Sequence, residues 1–466
     1  MRMPVILVII AASVVALIVI LTGIFFLDPD RPLIMAAGFQ DEMITPNADG
    51  ENDVTAFSFN LSRKALVTIT LTNEDGQTFD FRRDQRHVAG DYNILFSGVV
   101  GGYTLPDDTI DGRVERRLIP DGNYTWTMKA ADLESDEMAT ASGTFVITEA
   151  DSMLPVLSDF SIAPETFTPN QDGVTDRVGI SVFLQKDAEL TAYLLDSTDD
   201  RIYLRPRRDI REAGTAGRHE YDFDGGIDDG ANPPADGTYR VVIEAQDAVG
   251  QRVAVEGELT IEQSGNPRAE IVGQMTGPDV VFTTAPYDPV YFSSDETGLG
   301  ELIPPPDDPQ DLNLSSVTVP VGDMLVFSLV IENYGTTPIR TSGPPPGTVY
   351  QQDQLPPALG EFEQAGVWRV GIQCATSEAP YPWRWAVGAD ENLVQVADPS
   401  NDNLYSYLMP GERSVVWGAV RMTELIPTFN PQVCFAGLIH EGVEISLRNN
   451  RVGAREILLA ETAAED

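Results

Sequence analysis

The sequence predicts an all-β chain in which an N-terminal transmembrane helix precedes three β-sandwich domains. Three observations predict it. One uncharged run is long enough to span a bilayer, the remainder is built of short alternating strand patterns separated by turns, and a long stretch of it repeats itself. The length, 466 residues, also argues for several domains, since one domain takes about 100–200 residues.

No charged residue occurs from Met3 to Leu27, a stretch rich in Val, Ile, Leu and Ala. A helix needs about 20 apolar residues to cross the hydrocarbon core. Arg2 precedes the run; Asp28 and Asp30 follow it. Positive charge tends to stay in the cytoplasm. The expectation is a single-pass signal anchor with a cytoplasmic N-terminus and the bulk of the chain outside, at the cell surface. The competing reading is a cleaved signal peptide with Met35-Ala36-Ala37 as its cleavage region. Both readings export the rest.

The chain repeats itself at a spacing of domain size. Residues 38–53 and 160–176 both contain Thr-Pro-Asn-x-Asp-Gly-x-x-Asp. An alternating run follows each: Ala56 to Leu61 in the first copy and Val178 to Leu184 in the second. A further alternating run follows at Leu66–Leu71 and Leu190–Leu195. This is the period of a half-buried strand. Later, Asp121-Gly122-Asn123-Tyr124 and Asp236-Gly237-Thr238-Tyr239 open matching runs, with Phe96-Ser97-Gly98 and Phe223-Asp224-Gly225 upstream. An Asp-Gly pair before an alternating run is a hairpin signal. Short strands with turns between them and no long helical pattern indicate a sandwich.

The residues Thr45-Pro46-Asn47, Asp49-Gly50 and Asp53, and their counterparts Thr168-Pro169-Asn170, Asp172-Gly173 and Asp176, together with the Asp-Gly-x-Tyr pairs, carry a resemblance. Both copies resemble the Ig-like domain of the bacterial flagellar hook-capping protein and the related modules of gliding-motility-associated secreted proteins. The resemblance implies Ig-like sandwiches in an exported protein. It says little of function, because such modules are reused as spacers and adaptors. In secreted members the module often stands last as a sorting or attachment tag; here both copies precede a third domain.

Asn47, Asp49 and Asp53, like Asn170, Asp172 and Asp176, have spacing 1, 3, 7. Calcium takes six to eight hard oxygens from loops of this kind, so both loops are candidate Ca2+ sites. The alternative is an Asx-turn, in which these side chains accept from nearby backbone N–H groups.

After Ile261 the pattern changes. Residues 265–312 are rich in Pro, Gly and Asp and read as a linker. Whether Val280-Val281-Phe282 contributes a first strand to the third domain is open at this level. From Met324 a run alternates up to Glu332 and meets Asn333-Tyr334-Gly335. This third domain is loosely similar to CARDB-like and other bacterial Ig-like adhesion modules. Cys374 and Cys434 suggest one disulfide in an exported domain. It would close a loop of about 60 residues and contribute on the order of 4 kcal/mol if unstrained. Tyr381, Trp383 and Trp385 are either a ligand face suited to sugar rings or peptides, or core filling, since alternating tryptophans share one strand face. The expected boundaries are 1–28 for the helix, 29–150 and 151–264 for the repeats, 265–312 for the linker and 313–466 for the C-terminal domain.

Composition excludes some partners. With 72 acidic against 30 basic residues, net charge −42, the surface repels nucleic acid. The three histidines are scattered, and no catalytic serine elbow, zinc motif, phosphate loop or dinucleotide fingerprint occurs. A non-enzyme is expected: a surface-displayed binding, adhesion or scaffold protein whose repeats form a stalk, with an unknown protein or polysaccharide partner. The alternatives are a subunit of a cell-surface filament or motility machine, and an accessory subunit of an export or polymer-synthesis complex.

Overall fold

A computed structural model describes residues 12–19, 31–106, 108–207, 212–274, 278–284, 316–398 and 403–461. Of the run Met3–Leu27, residues 12–19 are helical and exposed; the rest of the expected anchor lies outside the described residues. Among the described residues no helix is long and apolar enough to cross a membrane.

The first repeat comprises β1 (Ile34–Phe39), β2 (Met43–Ile44), β3 (Thr55–Leu61), β4 (Ala65–Asn73), β5 (Thr78–His87), β6 (Gly90–Phe96), β7 (Val99–Gly101), β8 (Arg113–Leu118), β9 (Gly122–Asp132) and β10 (Met138–Ile147). One sheet runs β1-β3-β6 and the other β2-β10-β9-β4-β5. Alternation decides what lies between them. Along β4, Val67, Ile69 and Leu71 point inward while Thr68 and Thr70 face outward. They meet Phe57, Phe59, Trp126, Met128 and Phe145 in one core. Burying each large side chain contributes roughly 1.5–3 kcal/mol.

The second repeat has β11 (Leu157–Ala163), β12 (Thr166–Phe167), β13 (Val178–Leu184), β14 (Glu189–Leu195), β15 (Arg201–Tyr203), β16 (Gly217–Phe223), β17 (Gly237–Gln246) and β18 (Arg252–Ile261). Its sheets, β11-β13-β16 and β15-β14-β17-β18 with β12 on β18, repeat the first pattern strand for strand. The Asp-Gly-x-Tyr signature has the same job in both. The Tyr124 and Tyr239 hydroxyls donate to the carbonyls of Pro120 and Ala235, four residues upstream, at 2.6 and 2.8 Å. Asp121 and Asp236 accept from the backbone N–H groups of Ala150 and Gln263, just beyond the final strands. Each corner is thereby tied to the end of its module.

The third domain contains β19 (Ala269–Ile271), β20 (Val280–Thr283), β21 (Ser316–Pro320), β22 (Met324–Asn333), β23 (Ile339–Thr341), β24 (Val349–Gln351), β25 (Trp368–Cys374), β26 (Trp383–Ala386), β27 (Val394–Ala397), β28 (Leu404–Leu408), β29 (Arg413–Arg421), β30 (Gln432–His440) and β31 (Val452–Ala460). One sheet runs β19-β22-β29-β24 with β20 also on β22; the other runs β21-β31-β30-β25-β23-β28-β27 with β26 on β25. The segment read as linker therefore supplies two strands. Ala269, Ile271, Val280 and Phe282 are buried, and the long β22 leaves room along one side for both short strands.

Candidate functional site: the acidic loops, the junctions and a polar cleft

Both Asn-x-Asp-Gly loops fold alike. In the first, Asp53 accepts from the N–H groups of Asn47, Ala48 and Gly50 at 2.9, 2.7 and 2.8 Å. Asn47 Oδ1 accepts from Asp49 N–H, and Asp49 Oδ1 from Glu51 N–H. In the second, Asp176 accepts from Asn170, Asp172 and Gly173 N–H, Asn170 from Asp172 N–H, and Asp172 from Val174 N–H. Gly50 and Gly173 sit at φ +90 and +79, where a Cβ would strain the turn. This is the Asx-turn arrangement. Most of the oxygens offered to Ca2+ by spacing accept from backbone N–H groups, while Asp49 Oδ2 and Asp172 Oδ2 take side-chain donors, the Asn47 amide and the Tyr407 hydroxyl; among the described residues no cluster of three or more His, Cys, Asp or Glu side chains is placed to hold a metal ion.

The two loops differ in surroundings. The first is largely exposed. Asp53 feels a little desolvation, outweighed by the three N–H donors, and its carboxyl titrates below the usual range. The second is inserted against the third domain. Asp172 is 4 % exposed. Its Oδ2 accepts from the Tyr407 hydroxyl at 2.8 Å. His440 Nε2 donates to the carbonyl of Gln171 at 2.8 Å, and the His440 ring stacks on Trp368. The backbones interdigitate: a Cβ on Gly173 would lie 2.1 Å from the Ala365 carbonyl oxygen, and one on Gly366 2.1 Å from the Asp172 carbonyl carbon. Burial raises the Asp172 carboxyl, against the pull of Tyr407 and Arg340. Burial and then the Asp172 charge push Asp176 up to about 6. Burial depresses His440 to about 4.

The receiving loop is itself fixed from below. Glu441, buried, accepts from Arg369 at 3.2 Å, from Arg384 at 2.8 Å and from Gln364 N–H at 2.9 Å. Arg369 also donates to the carbonyls of Ser342 and Phe362. A buried carboxylate bridging two guanidiniums holds residues 361–366 where Gly366 can meet the loop, and losing one partner would strand an uncompensated charge.

The junction between the repeats is a continuous sheet. β7 and β8 leave the first repeat and β8 pairs with β18 of the second, Val253 opposite Val114 and Ala254 opposite Arg113. Gln251, fully buried, accepts from Leu118 N–H at 3.2 Å and donates to the carbonyls of Asp151 and Met153 and to Asp247.

Cys374 and Cys434 form a disulfide between directly paired residues of β25 and β30. The aromatic cluster is not a ligand platform. Tyr381, Trp383 and Trp385 are 3 %, 3 % and 0 % exposed. Trp385 packs edge-on to Phe327 and Tyr350, and Tyr381 lies on the other side against Phe435. Alternation places both tryptophans on one face; that face is the core, where large aromatics gain most.

The third domain does carry an open polar cleft of about 420 Å³, lined by Arg340, Ser342, Glu361, Gln364, Asp390, Asn403, Tyr405 and Ser406 among others. Arg340 connects it to the junction: its guanidinium donates to the Ala365 carbonyl at 2.9 Å and lies over the Tyr405 ring. The lining comes from separate chain segments, so no linear motif could have marked it.

No protein-family model matches the chain, and no curated protein matches it. Among solved structures it is similar to the fibronectin(III)-like modules of CbhA from Clostridium thermocellum, at 8 % identity over 50 % of this chain and 95 % of that one, TM-score 0.19. It is also similar to part of a bacterial ice-binding adhesin, at 10 % identity over 83 % and 96 %, TM-score 0.19, and to a Bacteroides ovatus protein solved with a mixed-linkage heptasaccharide, at 10 % identity over 93 % and 71 %, TM-score 0.15. At such scores the likeness carries no argument, and the sandwich architecture rests on the strand order above.

Proposed function

We propose that the chain is a membrane-tethered, extracytoplasmic β-sandwich protein with a binding, adhesion or scaffold role and no catalytic one. The two repeats act as a stiffened stalk, and the third domain presents its polar cleft to a partner. The observation that carries this reading is the interlocking of the junctions. A strand donated from one repeat to the next, and a buried loop seated between glycines, suit a spacer that holds a terminal domain in a set orientation. The mixture of hydroxyls, amides, carboxylates and one arginine in the cleft suits a polar partner such as a glycan or peptide.

Fractionation of cells expressing the full chain tests the tether. The expected result is recovery in the membrane pellet, release by detergent and retention in high salt. Recovery in the soluble fraction without detergent contradicts it.

A further inference from the structure

Three arginines among the described residues are buried: Arg117, Arg340 and Arg369. Arg117 pairs with Asp108 and Arg369 with Glu441. Arg340 is 5 % exposed and forms no ion pair among the described residues; its guanidinium meets the Ala365 carbonyl and the Tyr405 ring. Its Nε is buried without a hydrogen-bond partner. A buried donor left unmatched is costly, and this one belongs to a residue that lines the open polar cleft of about 420 Å³. Other lining groups are unmatched too. The side chains of Ser342, Gln364, Asp390 and Ser406 hydrogen-bond to no group among the described residues.

Hydrogen-bonding capacity narrows the ligand. Arg340 Nε only donates, the Asp390 carboxylate only accepts, and Ser342, Ser406 and Gln364 do both. Ligand hydroxyls answer all of them, because a hydroxyl donates and accepts at one atom and a sugar ring carries several side by side. A peptide separates its backbone donor from its acceptor and draws specificity from pockets for alternate side chains. Charge narrows the ligand further. Glu361 leans toward Arg369 at 3.7 Å, which leaves Arg340 against the exposed Asp390 and a wall close to neutral. Beyond the cleft, a net charge of −42 repels an acidic polymer. A neutral ligand meets no such penalty.

The cleft shares its walls with the junction. Glu361 and Gln364 line the cleft, while Ala365 and Gly366 of the same loop pack on Gly173 and Asp172. On β28, Tyr405 and Ser406 line the cleft and Tyr407 donates to Asp172. Arg340 serves both: it lines the cleft, holds the Ala365 carbonyl, and its Nη2 would lie 3.0 Å from a Cβ on Gly173. Taking the cleft as the partner-facing site of the reading above, on which this rests, we propose that it binds a neutral sugar unit of a glycan, and that this binding and the docking of the second repeat favour each other. A ligand that needs these groups in place binds the docked state better. By linkage, the bound ligand then holds the Asp172 loop more firmly in its seat.

An array of neutral glycans, acidic glycans and peptides tests this, probed with the full chain in a polyoxyethylene detergent that carries no sugar. Retention by neutral glycans is expected. Titration calorimetry with the strongest of them should give a Kd raised about tenfold by Asp390→Ala, which removes an exposed side chain with no partner among the described residues. Tyr407→Phe and Gly366→Ala lie outside the lining and loosen the junction; each should raise the Kd about fivefold or more. Retention by acidic glycans or peptides alone rejects the sugar while keeping a binding role for the chain. Retention by nothing on the array rejects both. Binding of a neutral glycan that Asp390→Ala leaves unchanged places the sugar elsewhere and overturns the assignment. A Kd indifferent to both junction variants overturns the coupling. Recovery in the membrane pellet does not depend on the cleft, so a failed tether and a failed sugar site read out separately.

Discussion

Asp53 and Asp176 occupy the same position in the same loop and titrate in opposite directions, one lowered and one raised to about 6. The cause is burial. Docking also removes a bond from the loop. Asn47 Nδ2 donates to Asp49 Oδ2 in the exposed copy, whereas the matching oxygen of Asp172 takes the Tyr407 hydroxyl and Asn170 Nδ2 is left buried without a partner. Tyr407→Phe should therefore destabilise the junction by about 1–3 kcal/mol, the cost of an unmet buried acceptor, measured by chemical denaturation. The pH dependence follows from the buried carboxyls Asp172 and Asp176, both raised, and from His440, lowered. Asp176, raised from 3.8 to about 6, binds more proton folded than unfolded between those values, so its contribution to stability rises as pH falls through 6. His440, lowered from 6.5 to about 4, binds more proton unfolded, so its contribution falls over pH 6.5 to 4. The two oppose each other in the wild type. His440→Gln should leave a melting temperature that gains, relative to wild type, as pH drops from 7 to 5; Asp176→Asn should show the reverse difference. Matching profiles for both variants would contradict the assignment.

Strands were the most readable elements, for a simple reason. Runs such as Leu66–Leu71 alternate because one face is core and the other solvent, and period 2 records that directly. The repeat of Thr-Pro-Asn-x-Asp-Gly gave the correspondence between modules, and their strand orders match. Three features escaped. Sequence reasoning misses β19 and leaves β20, with its Val280-Val281-Phe282, unsettled: they are three and four residues long, too short for periodicity and set in Pro/Gly-rich sequence. β8 reads Arg-Val-Glu-Arg-Arg-Leu, and nothing in it says that its partner belongs to another domain. Trp383 and Trp385 alternate correctly, but period alone cannot say whether their face is open. The glycines at the junctions are where an element-level change should tell most. Gly366→Ala drives a Cβ into the Asp172 backbone at a positive φ. It should loosen the second repeat from the third domain, seen as faster proteolysis near residues 262–268 with the disulfide intact. Gly50→Ala, in the exposed copy with no atom within 4 Å of the new Cβ, should cost only the turn strain, roughly 1 kcal/mol.

At the scale of the whole molecule, the cleft was beyond sequence reasoning because its residues converge only after folding. The proposed export and tethering, in turn, rest on the uncharged Met3–Leu27 run and the charges that flank it. The central claim is that the second repeat and the third domain are held in one orientation through the Asp172 loop. Spin labels at Tyr203→Cys and Leu447→Cys, two exposed positions on either side of that junction, measure this directly by pulsed electron–electron resonance. The expected result is one narrow distance peak that broadens when Gly366→Ala is added. A distribution already broad in the unmodified junction, or unchanged by Gly366→Ala, would contradict it.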